Sequence, residues 1–284
     1  MSSFLELLRA PSGPINLSDP PHPPHATPGF EGAKGDGEAM LAALGEELAD
    51  LQERLWAART EGSRRRILLV LQGMDTSGKG GVLRHTVGLV DPQGVRITAF
   101  KEPTPEERAH PFLWRIERAL PEAGSIGVFD RSHYEDVLIQ RVRGLAPLEE
   151  IEERYPAINA FEARLVKGGT ALIKCLLHIS PEAQKARLRR RLERPDKHWK
   201  YSPTDLDDRA LWTDYQRAYE LAIERTHTAL APWYIIPSDQ KWYRNLAVGK
   251  LLLETLRGMN LTWPKAHFDV DAEMRRLDTE DPVR

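Results

Sequence analysis

The chain has a single cysteine, almost no net charge, and no apolar run of transmembrane length. With Cys175 alone, no intramolecular disulfide can form, and a cysteine-based zinc site is not expected. The 40 Lys and Arg are balanced by 42 Asp and Glu, so the basic excess typical of nucleic-acid-coating proteins is missing. No stretch reaches the ~20 apolar residues of a membrane span, and the N-terminus lacks a signal-peptide pattern. We therefore expect a cytoplasmic protein that binds neither membranes nor nucleic acid.

Length and composition limit the domain organisation. The 284 residues, 41% of them hydrophobic and 29% charged, suit one large α/β domain with a well-filled core. Residues 1–37 differ from the rest, because proline, glycine and histidine crowd the segment 11–37. Such a composition buries little apolar surface, so we predict an extended N-terminal arm over residues 1–37. We expect this arm to pack on the core or on a neighbouring subunit, and the main domain to span residues 38–284.

Short runs of branched apolar residues alternate with helical patterns along the main domain. Five runs are typical of buried strands: Arg66–Gln72, Val95–Phe100, Ile126–Asp130, Ala171–Ile179 and Trp233–Pro237. Regularly spaced leucines predict a helix over residues 38–61, and further helices are predicted to begin near residues 79, 111, 132, 148, 181, 203 and 239. This alternation indicates an α/β fold in three layers, with a parallel sheet covered by helices on both faces.

The segment directly after the first strand has the pattern of a phosphate-binding loop. Residues 73–81 read GMDTSGKGG, which matches Gly-x4-Gly-Lys, and a helical stretch follows. Glycines let successive backbone N–H groups point at phosphate oxygens, and Lys79 adds a full positive charge. We assign Lys79 to catalysis and expect phosphate or nucleotide to contact the other loop positions: Gly73, Met74, Thr76, Ser77, Gly78, Gly80 and Gly81. The alternative is a glycine-rich turn that binds nothing.

Two carboxylates are candidates for holding a metal ion. The residue after the lysine of such loops is usually Ser or Thr, whose hydroxyl ligates Mg²⁺, but here it is Gly80. A carboxylate in a phosphate loop is unfavourable unless a cation lies between the two, so we predict that Asp75 binds Mg²⁺. Asp130 ends the third strand at the sheet edge where metal-binding aspartates of phosphate-loop proteins lie, and Arg131 beside it suits phosphate. The alternatives are a backbone-bonded Asp75 and an Asp130–Arg131 helix cap.

A strongly basic segment follows the fourth strand. Residues 185–200 carry eight Lys or Arg against two acids, and Arg187, Arg191 and Arg194 fall on one helical stripe. Nucleotide kinases with a phosphate loop carry an arginine-bearing lid at this place in the chain. We therefore predict a helical lid over about residues 182–215, and it would clamp phosphates through Arg187, Arg191, Arg194, Lys197 and Lys200. A solvated charged face and an RNA-binding patch are the alternatives.

Four segments together resemble the family-2 polyphosphate kinases, specifically their single-domain members. They are residues 73–81, Phe100–Thr104 (FKEPT), Phe129–Glu135 (FDRSHYE) and Pro195–Ser202 (PDKHWKYS), with Trp212 and Tyr215 beyond. The segments lie in the family's order, and Gly80 is the family's own departure from the usual loop. The resemblance implies a thymidylate-kinase-like P-loop core with a helical lid over a cationic channel.

The same resemblance implies an activity and roles for the matched residues. The expected reaction is reversible, Mg²⁺-dependent phosphoryl transfer from inorganic polyphosphate to a nucleotide, with Mn²⁺ as a substitute ion. Asp75 and Asp130 would handle the metal and the acceptor phosphate, while Lys79, Arg131 and the lid cations would hold phosphates. Lys101 and Glu135 lie in the matched motifs, and we add them to the residues that bind phosphate or nucleotide.

The identity of the acceptor and the assembly are also expected from this likeness. The His-Tyr-Glu form of residues 133–135 resembles the subgroup that phosphorylates AMP and ADP rather than ADP alone. Adenine nucleotides are therefore the expected partners of polyphosphate, with guanine nucleotides as further candidates. We also expect a homo-oligomer, either a dimer or a tetramer.

Two other functions stay open on the sequence alone. An ordinary ATP-dependent nucleotide or small-molecule kinase would share the phosphate loop, but it would show no turnover with polyphosphate as the sole donor. A non-enzymatic protein that binds nucleotides or RNA would use the basic lid for contact, and the change Asp75→Asn would leave its function intact.

Overall fold

The computed structural model describes residues 3–280, and its centre is one parallel sheet of five strands. The strands are β1 (Arg66–Gln72), β2 (Val95–Ala99), β3 (Ile126–Asp130), β4 (Thr170–His178) and β5 (Trp233–Pro237). Every strand predicted from the sequence is present, and each end lies within one residue of its predicted position. Branched apolar residues favour this extended, buried conformation, which is why the strand pattern could be identified.

The sheet order is β2-β3-β1-β4-β5, so β1 lies in the middle. Strand β1 pairs with β3 and with β4, and residues 67–72 of β1 are all buried. Leu71 of β1 lies opposite Asp130 of β3 in the register. Because parallel strands end at the same edge of the sheet, the loops that follow β1 and β3 leave side by side.

Twelve helices surround the sheet within the described residues. Their bounds are α1 (Phe4–Leu7), α2 (Lys34–Ala57), α3 (Lys79–His85), α4 (Pro105–Arg108), α5 (Trp114–Ala119), α6 (Ile139–Val142), α7 (Leu148–Lys167), α8 (Pro181–Glu193), α9 (Thr204–Ala210), α10 (Trp212–Thr226), α11 (Lys241–Gly258) and α12 (Val270–Thr279). No helix in the part of the chain that the structure describes is both long and apolar enough to cross a bilayer.

The helices form one layer on each side of the sheet. Alternate residues of β1 face opposite sides, because side chains along a strand alternate in direction. Ile67, Leu69 and Leu71 pack into a core with α2 and α11, whereas Leu68 and Val70 pack into a second core with α7 and α10. The three-layer α/β arrangement predicted from the sequence is therefore present.

Several helix boundaries differ from the predicted ones. The first long helix begins at Lys34 rather than at residue 38, and the helix expected near residue 132 is a single 3₁₀ turn, His133–Asp136. The segment predicted as a helical lid contains α8, a 3₁₀ turn at Pro195–Lys200, and α9. Pro195 interrupts the lid because proline has no N–H for a continuing helix. Cys175 is fully buried in β4, and burial raises the pKa of its thiol, as befits an inert core residue.

The N-terminal segment 3–33 lies against the main domain of its own chain. Ala10 N–H donates to the Trp233 carbonyl (2.9 Å) and Ile235 N–H donates to the Leu8 carbonyl (2.9 Å), so the segment continues the sheet beyond β5. The expectation that its composition buries little apolar surface is wrong: Ile15 and Leu17 are 6% and 3% exposed. Glutamates of α10 accept the backbone N–H groups of these two residues, which compensates for the absence of regular structure.

Candidate active site

The loop between β1 and α3 has the backbone of a phosphate-binding loop. Its tight turns need left-handed conformations: Gly73 has φ +145°, Thr76 has φ +65° and Gly78 has φ +114°. Lys79 lies at the start of α3, and its Nζ donates to the Gly73 carbonyl at 2.9 Å. Burial and the neighbouring Arg131 both lower the pKa of Lys79. The loop thus holds a partly desolvated cation against its own backbone.

An arginine from a distant helix is packed against this loop. A Cβ atom added to Gly78 or Gly81 would lie 1.8 Å or 2.3 Å from the guanidinium of Arg244 in α11. Arg244 Nη1 donates to the Ser77 carbonyl (3.1 Å), and Nε and Nη2 reach the side chain of Asn245. A side chain at either position would therefore require Arg244 to move, and Gly78 also has a left-handed φ that favours glycine. Sequence reasoning missed this residue.

The two aspartates predicted to bind metal lie on adjacent loops. Asp75 is in the phosphate loop, Asp130 ends β3, and both line the same cavity. Arg131 Nη2 contacts Asp75 Oδ1 at 3.1 Å, so the loop after β3 is tied to the phosphate loop. Arg131 itself has φ +64°, a left-handed conformation that is strained for a residue other than glycine. The acidic pair and the arginine thus meet where β1 and β3 end.

Glu135, which sequence reasoning assigned to ligand binding, lies close enough to Arg131 for their charges to interact. Burial raises the pKa of Glu135, while Arg131 and Lys79 act in the opposite direction. With the amide of Gln72 oriented to satisfy both neighbours, its nitrogen donates to Glu135 Oε1 (3.0 Å) and its oxygen accepts from Ser132 N–H (3.2 Å). Glu135 lines a different cavity from the two aspartates, although Arg131 lines both.

The first cavity has a volume of about 730 Å³ and is strongly cationic. Twelve lysines and arginines line it, against three aspartates. The cations come from α3, from the loops after β2 and β3, from the lid and from α11: Lys79, Arg84, Lys101, Arg131, Arg187, Arg190, Arg191, Arg194, Lys197, Lys200, Lys241 and Arg244. Lys241 and Arg244 both have a lowered pKa, caused first by burial and then by neighbouring cations. Such an excess of like charge is unfavourable unless an anion fills the cavity.

The lid cations predicted to clamp phosphate are all on this cavity, but their partners differ. Arg187 donates to four backbone carbonyls: Thr76 (2.7 Å) and Ser77 (3.2 Å) of the phosphate loop, and Ser238 (2.6 Å) and Asp239 (2.9 Å) after β5. Its guanidinium therefore braces the phosphate loop, a contact that sequence reasoning did not foresee. Arg191 contacts the Lys200 carbonyl (2.9 Å) and Asp205 (3.1 Å) within the lid.

The outer lid cations are more accessible. Arg194 pairs with Asp196 through two contacts of 3.0 Å and 2.9 Å, and Lys197 lies 2.9 Å from the same carboxylate. Lys200 lies over the ring of Trp199, which is 78% exposed. Exposed pairs of this kind contribute little to stability, so Arg194 and Lys197 can exchange Asp196 for another anion.

A second cavity of about 1000 Å³ opens on the other side of Arg131. Its walls combine aromatic and apolar groups with six acids and five cations. The two cavities share Phe100, Lys101 and Arg131. Lys101, which sequence reasoning assigned to ligand binding, therefore lies at the junction. Arg115 braces this junction, because its Nη1 donates to the Lys101 carbonyl at 2.9 Å and its guanidinium lies over Phe100.

Some predicted loop positions contribute no side chain to either cavity. The side chain of Met74 is buried in the core formed with α7 and α10, and Ser77 is fully buried beneath the loop. At these positions only the backbone is left to meet a ligand. Gly80 is exposed, and a Cβ added there would meet nothing within 4 Å. The glycine that replaces the usual Ser or Thr is therefore not imposed by steric crowding.

The donor set can be tested for its fit to Mg²⁺. Within residues 3–280 there is no group of three or more His, Cys, Asp or Glu side chains that could enclose a metal. Mg²⁺ is usually held by one or two carboxylates and completed by substrate phosphates and water, rather than by a cage of protein ligands. Asp75 and Asp130 on a cavity lined by twelve lysines and arginines match that description.

Comparison with known proteins agrees with this geometry. The family model described as Polyphosphate kinase 2 (PPK2) matches residues 32–264. A relative from Meiothermus ruber named AMP/ADP-polyphosphate phosphotransferase is 45% identical over 242 residues, which cover 85% of this chain and 89% of the relative. An ADP-polyphosphate phosphotransferase from Rhodopseudomonas palustris is 38% identical, with 83% and 84% covered.

A solved structure extends the likeness to the whole described fold. The crystal structure of Polyphosphate Kinase 2 from Arthrobacter aurescens TC1 superposes with a TM-score of 0.95 at 53% identity, and 98% of each chain is covered. Its agreement includes the parallel sheet and the surrounding helices of a P-loop kinase. With the family model matching most of the sequence, the chain belongs to the polyphosphate kinase 2 family.

Proposed function

We propose that this chain catalyses reversible, Mg²⁺-dependent transfer of a phosphoryl group between inorganic polyphosphate and an adenine nucleotide, AMP, ADP or both. One observation carries the proposal: two cavities meet at Arg131 and Lys101, and one of them is lined by twelve lysines and arginines against three aspartates. Relatives named AMP/ADP-polyphosphate and ADP-polyphosphate phosphotransferases support the choice of substrates.

Polyphosphate suits the first cavity because its charge repeats along a chain. Cations from several parts of the protein surround this cavity, so several consecutive phosphates can be neutralised at once. The cations at the phosphate loop differ from those of the outer lid. Lys79 and Arg187 are held by backbone carbonyls. Arg194, Lys197 and Lys200 of the lid are accessible and weakly held. The outer cations can therefore bind the polymer in many registers while the inner ones select the reacting end.

The nucleotide suits the second cavity because its walls are chemically mixed. Phe100, Phe112 and Ile139 offer apolar surface to a base, and acidic side chains offer acceptors to ribose hydroxyls and base amines. The nucleotide phosphate would then point at Arg131 and Lys101, where the first cavity begins. Donor and acceptor phosphates would meet between the ends of β1 and β3.

The proposed mechanism needs positioning and charge neutralisation, and it needs no protein nucleophile. Asp75 and Asp130 would hold Mg²⁺, which neutralises charge on the phosphates when bound. Lys79 and Arg131 would bind the oxygens of the transferred group, and Arg187 keeps the loop beneath it rigid. The acceptor phosphate is already an anion at neutral pH, so a strong general base is unnecessary.

The proposal is tested with purified protein, Mg²⁺ and long-chain polyphosphate, with AMP or ADP as acceptor and chromatography as the readout. We expect ADP from AMP, ATP from ADP, or both, and the reverse reaction when ATP is supplied without polyphosphate. Asp75→Asn and Asp130→Asn should each lower kcat by about 100-fold or more, because loss of one ligand misaligns the metal. Asp50→Asn in α2 is the matched control, because the Asp50 side chain is 41% exposed, pairs with Arg54 and lines neither cavity; this variant should retain full activity.

Two outcomes would count against the proposal. Phosphorylation by ATP with no turnover from polyphosphate would indicate an ordinary kinase. Wild-type rates in both aspartate variants would contradict the proposal that Asp75 and Asp130 hold Mg²⁺. Guanine nucleotides and a dimeric or tetrameric assembly belong to the same proposal. GMP and GDP in the assay, and light scattering of the eluted protein, test them directly.

A further inference from the structure

A completely buried ion pair joins β4 to α7, and the proposed mechanism makes no use of it. Lys174 of β4 and Glu162 of α7 are 0% and 1% exposed, and Lys174 Nζ lies 2.7 Å from Glu162 Oε2. The ammonium also donates to the Thr226 carbonyl (2.8 Å) and to the Tyr134 hydroxyl (3.0 Å), so its three protons all have acceptors. A buried pair with complete partners is costly to desolvate and specific in geometry.

Two residues of the loop after β3 are attached to this pair. The Tyr134 hydroxyl donates to Glu162 Oε1 (2.7 Å), and His133 Nε2 lies 3.3 Å from the same oxygen. Both side chains are fully buried. The Trp233 indole N–H continues the network through Thr226 Oγ1 (2.9 Å). The loop is therefore anchored to β4, α7, α10 and β5 at once.

The anchored loop is the one that carries the strained arginine. Arg131 holds φ +64°, and such conformations cost on the order of 1–3 kcal/mol and persist only where the surroundings fix them. Its N–H donates to the Leu71 carbonyl (3.1 Å), and its guanidinium reaches Asp75. On the cavity side, the contact with Asp75 is the one side-chain hydrogen bond of Arg131 within residues 3–280, and its side chain is 40% exposed. The buried residues that follow therefore supply the deeper anchor of the loop.

We propose that the Lys174–Glu162 pair is a positioning device for phosphoryl transfer. Through Tyr134 and His133 it holds the loop 131–136 in the conformation that directs Arg131 at the transferred group. The identity of that group rests on the function proposed above. A role in stability alone is a poorer account, because buried ion pairs can often be replaced by apolar residues without loss of stability. The hydrogen bond to Tyr134 is what an apolar replacement could not supply.

Two double variants separate positioning from stability. In Glu162→Leu with Lys174→Met, both charges are removed together, and the Tyr134 hydroxyl loses Glu162 and Lys174 and keeps only Thr226 Oγ1 (3.0 Å) as a partner. In Glu162→Gln with Lys174→Met, the charges are also gone, but the amide oxygen at 162 can still accept from Tyr134 and His133. We expect similar melting temperatures for the two variants. In the Leu–Met variant kcat should fall about 10- to 100-fold at little change in either KM, and in the Gln–Met variant it should return to within a few-fold of wild type.

A second readout does not depend on catalysis. Hydrogen exchange of the backbone amides of residues 131–136 should be faster in the Leu–Met variant and close to wild type in the Gln–Met variant. If the wild-type protein transfers no phosphate at all, the proposed function fails while this measurement still tests the anchor. Equal kcat values and equal exchange in the two variants would overturn the positioning role.

Tyr134→Phe provides a further check should a double variant fail to fold. It removes one hydroxyl and leaves the Lys174–Glu162 pair with its remaining partners. We expect a fall in kcat in the same direction, of about 10-fold, with KM for both substrates within about threefold of wild type. Wild-type kcat in Tyr134→Phe would contradict the proposal, because the phenol makes the shorter of the two contacts with Glu162 (2.7 Å, against 3.3 Å for His133) and its loss should loosen the loop.

Discussion

Arg244 offers a test in which stability and ligand binding should change in opposite directions. Its guanidinium is 2% exposed, and burial together with Arg187 lowers the pKa of Arg244 from 12.5 to about 9. A cation whose pKa is lowered by folding destabilises the folded protein at every pH below that value. A shift of this size corresponds to about 5 kcal/mol at neutral pH. We infer that an anion binds beside Arg244 and offsets this cost.

The expected effect of Arg244→Met follows from the contacts that it removes. The change relieves the cost of the buried charge and deletes three hydrogen bonds, one to Ser77 and two to Asn245, worth about 1 kcal/mol each. The Ser77 carbonyl keeps Arg187 as a donor, so it is not left without a partner. The net gain is about 2 kcal/mol, which should raise Tm by about 4–8 °C in the absence of ligand.

With polyphosphate present, the wild-type protein should instead have the higher Tm. A charge-assisted hydrogen bond to phosphate is worth about 1.5–3 kcal/mol, so the variant should bind polyphosphate about tenfold more weakly or worse. The assay is thermal unfolding with and without polyphosphate, together with the polyphosphate KM. Arg257→Met is the matched control, since Arg257 lies on the same helix but is exposed and paired with Glu47. A lower Tm for Arg244→Met without ligand, or an unchanged polyphosphate KM, would refute the reasoning.

Two further predictions concern the lid and the second cavity. Arg194→Met should raise the polyphosphate KM about 3- to 10-fold and make it less sensitive to salt, because an accessible phosphate contact is lost. Arg187→Met should instead lower Tm and kcat, because it removes hydrogen bonds to four backbone carbonyls, of which Ser77 keeps Arg244 as a donor. Steady-state kinetics at several salt concentrations separate the two, and identical behaviour would contradict the assignment. Burial raises the pKa of Asp136 from 3.8 to about 6, so ionised Asp136 costs stability that grows as pH rises from about 4 to 6 and stays constant above. Asp136→Asn should therefore stabilise the protein at pH 7.5 by up to about 3 kcal/mol and have no effect near pH 3.5 in denaturant titrations, and an equal gain at both pH values would contradict it.

The parts of the site that could be predicted from the sequence are local in the chain. The glycines and Lys79 of the phosphate loop follow one strand directly, and Asp130 ends another, so a few neighbouring residues are enough to predict their roles. Parallel pairing then brings the two strand ends together without further information. The five strands could be predicted for a similar reason, because each is a short apolar run bounded by polar residues.

The parts that could not be predicted depend on packing between distant segments. Arg244 lies 167 residues from Ser77, and only the docking of α11 brings them together. The helical stripe correctly grouped Arg187 with Arg191 and Arg194 on the first cavity. Periodicity defines a face, but it cannot reveal whether that face meets solvent, phosphate or backbone carbonyls. The buried Ile15 escaped prediction because the average composition of its segment hides one well-anchored residue.

The attachment of the N-terminal segment also constrains the order in which the protein can fold. Phe4 and Leu5 donate their backbone N–H groups to Glu254, about 250 residues away, and Leu8 pairs with Ile235. During synthesis these first residues leave the ribosome long before their partners exist. Residues 4–8 must therefore stay without these partners until β5 and α11 have emerged, and their docking is a late step of folding.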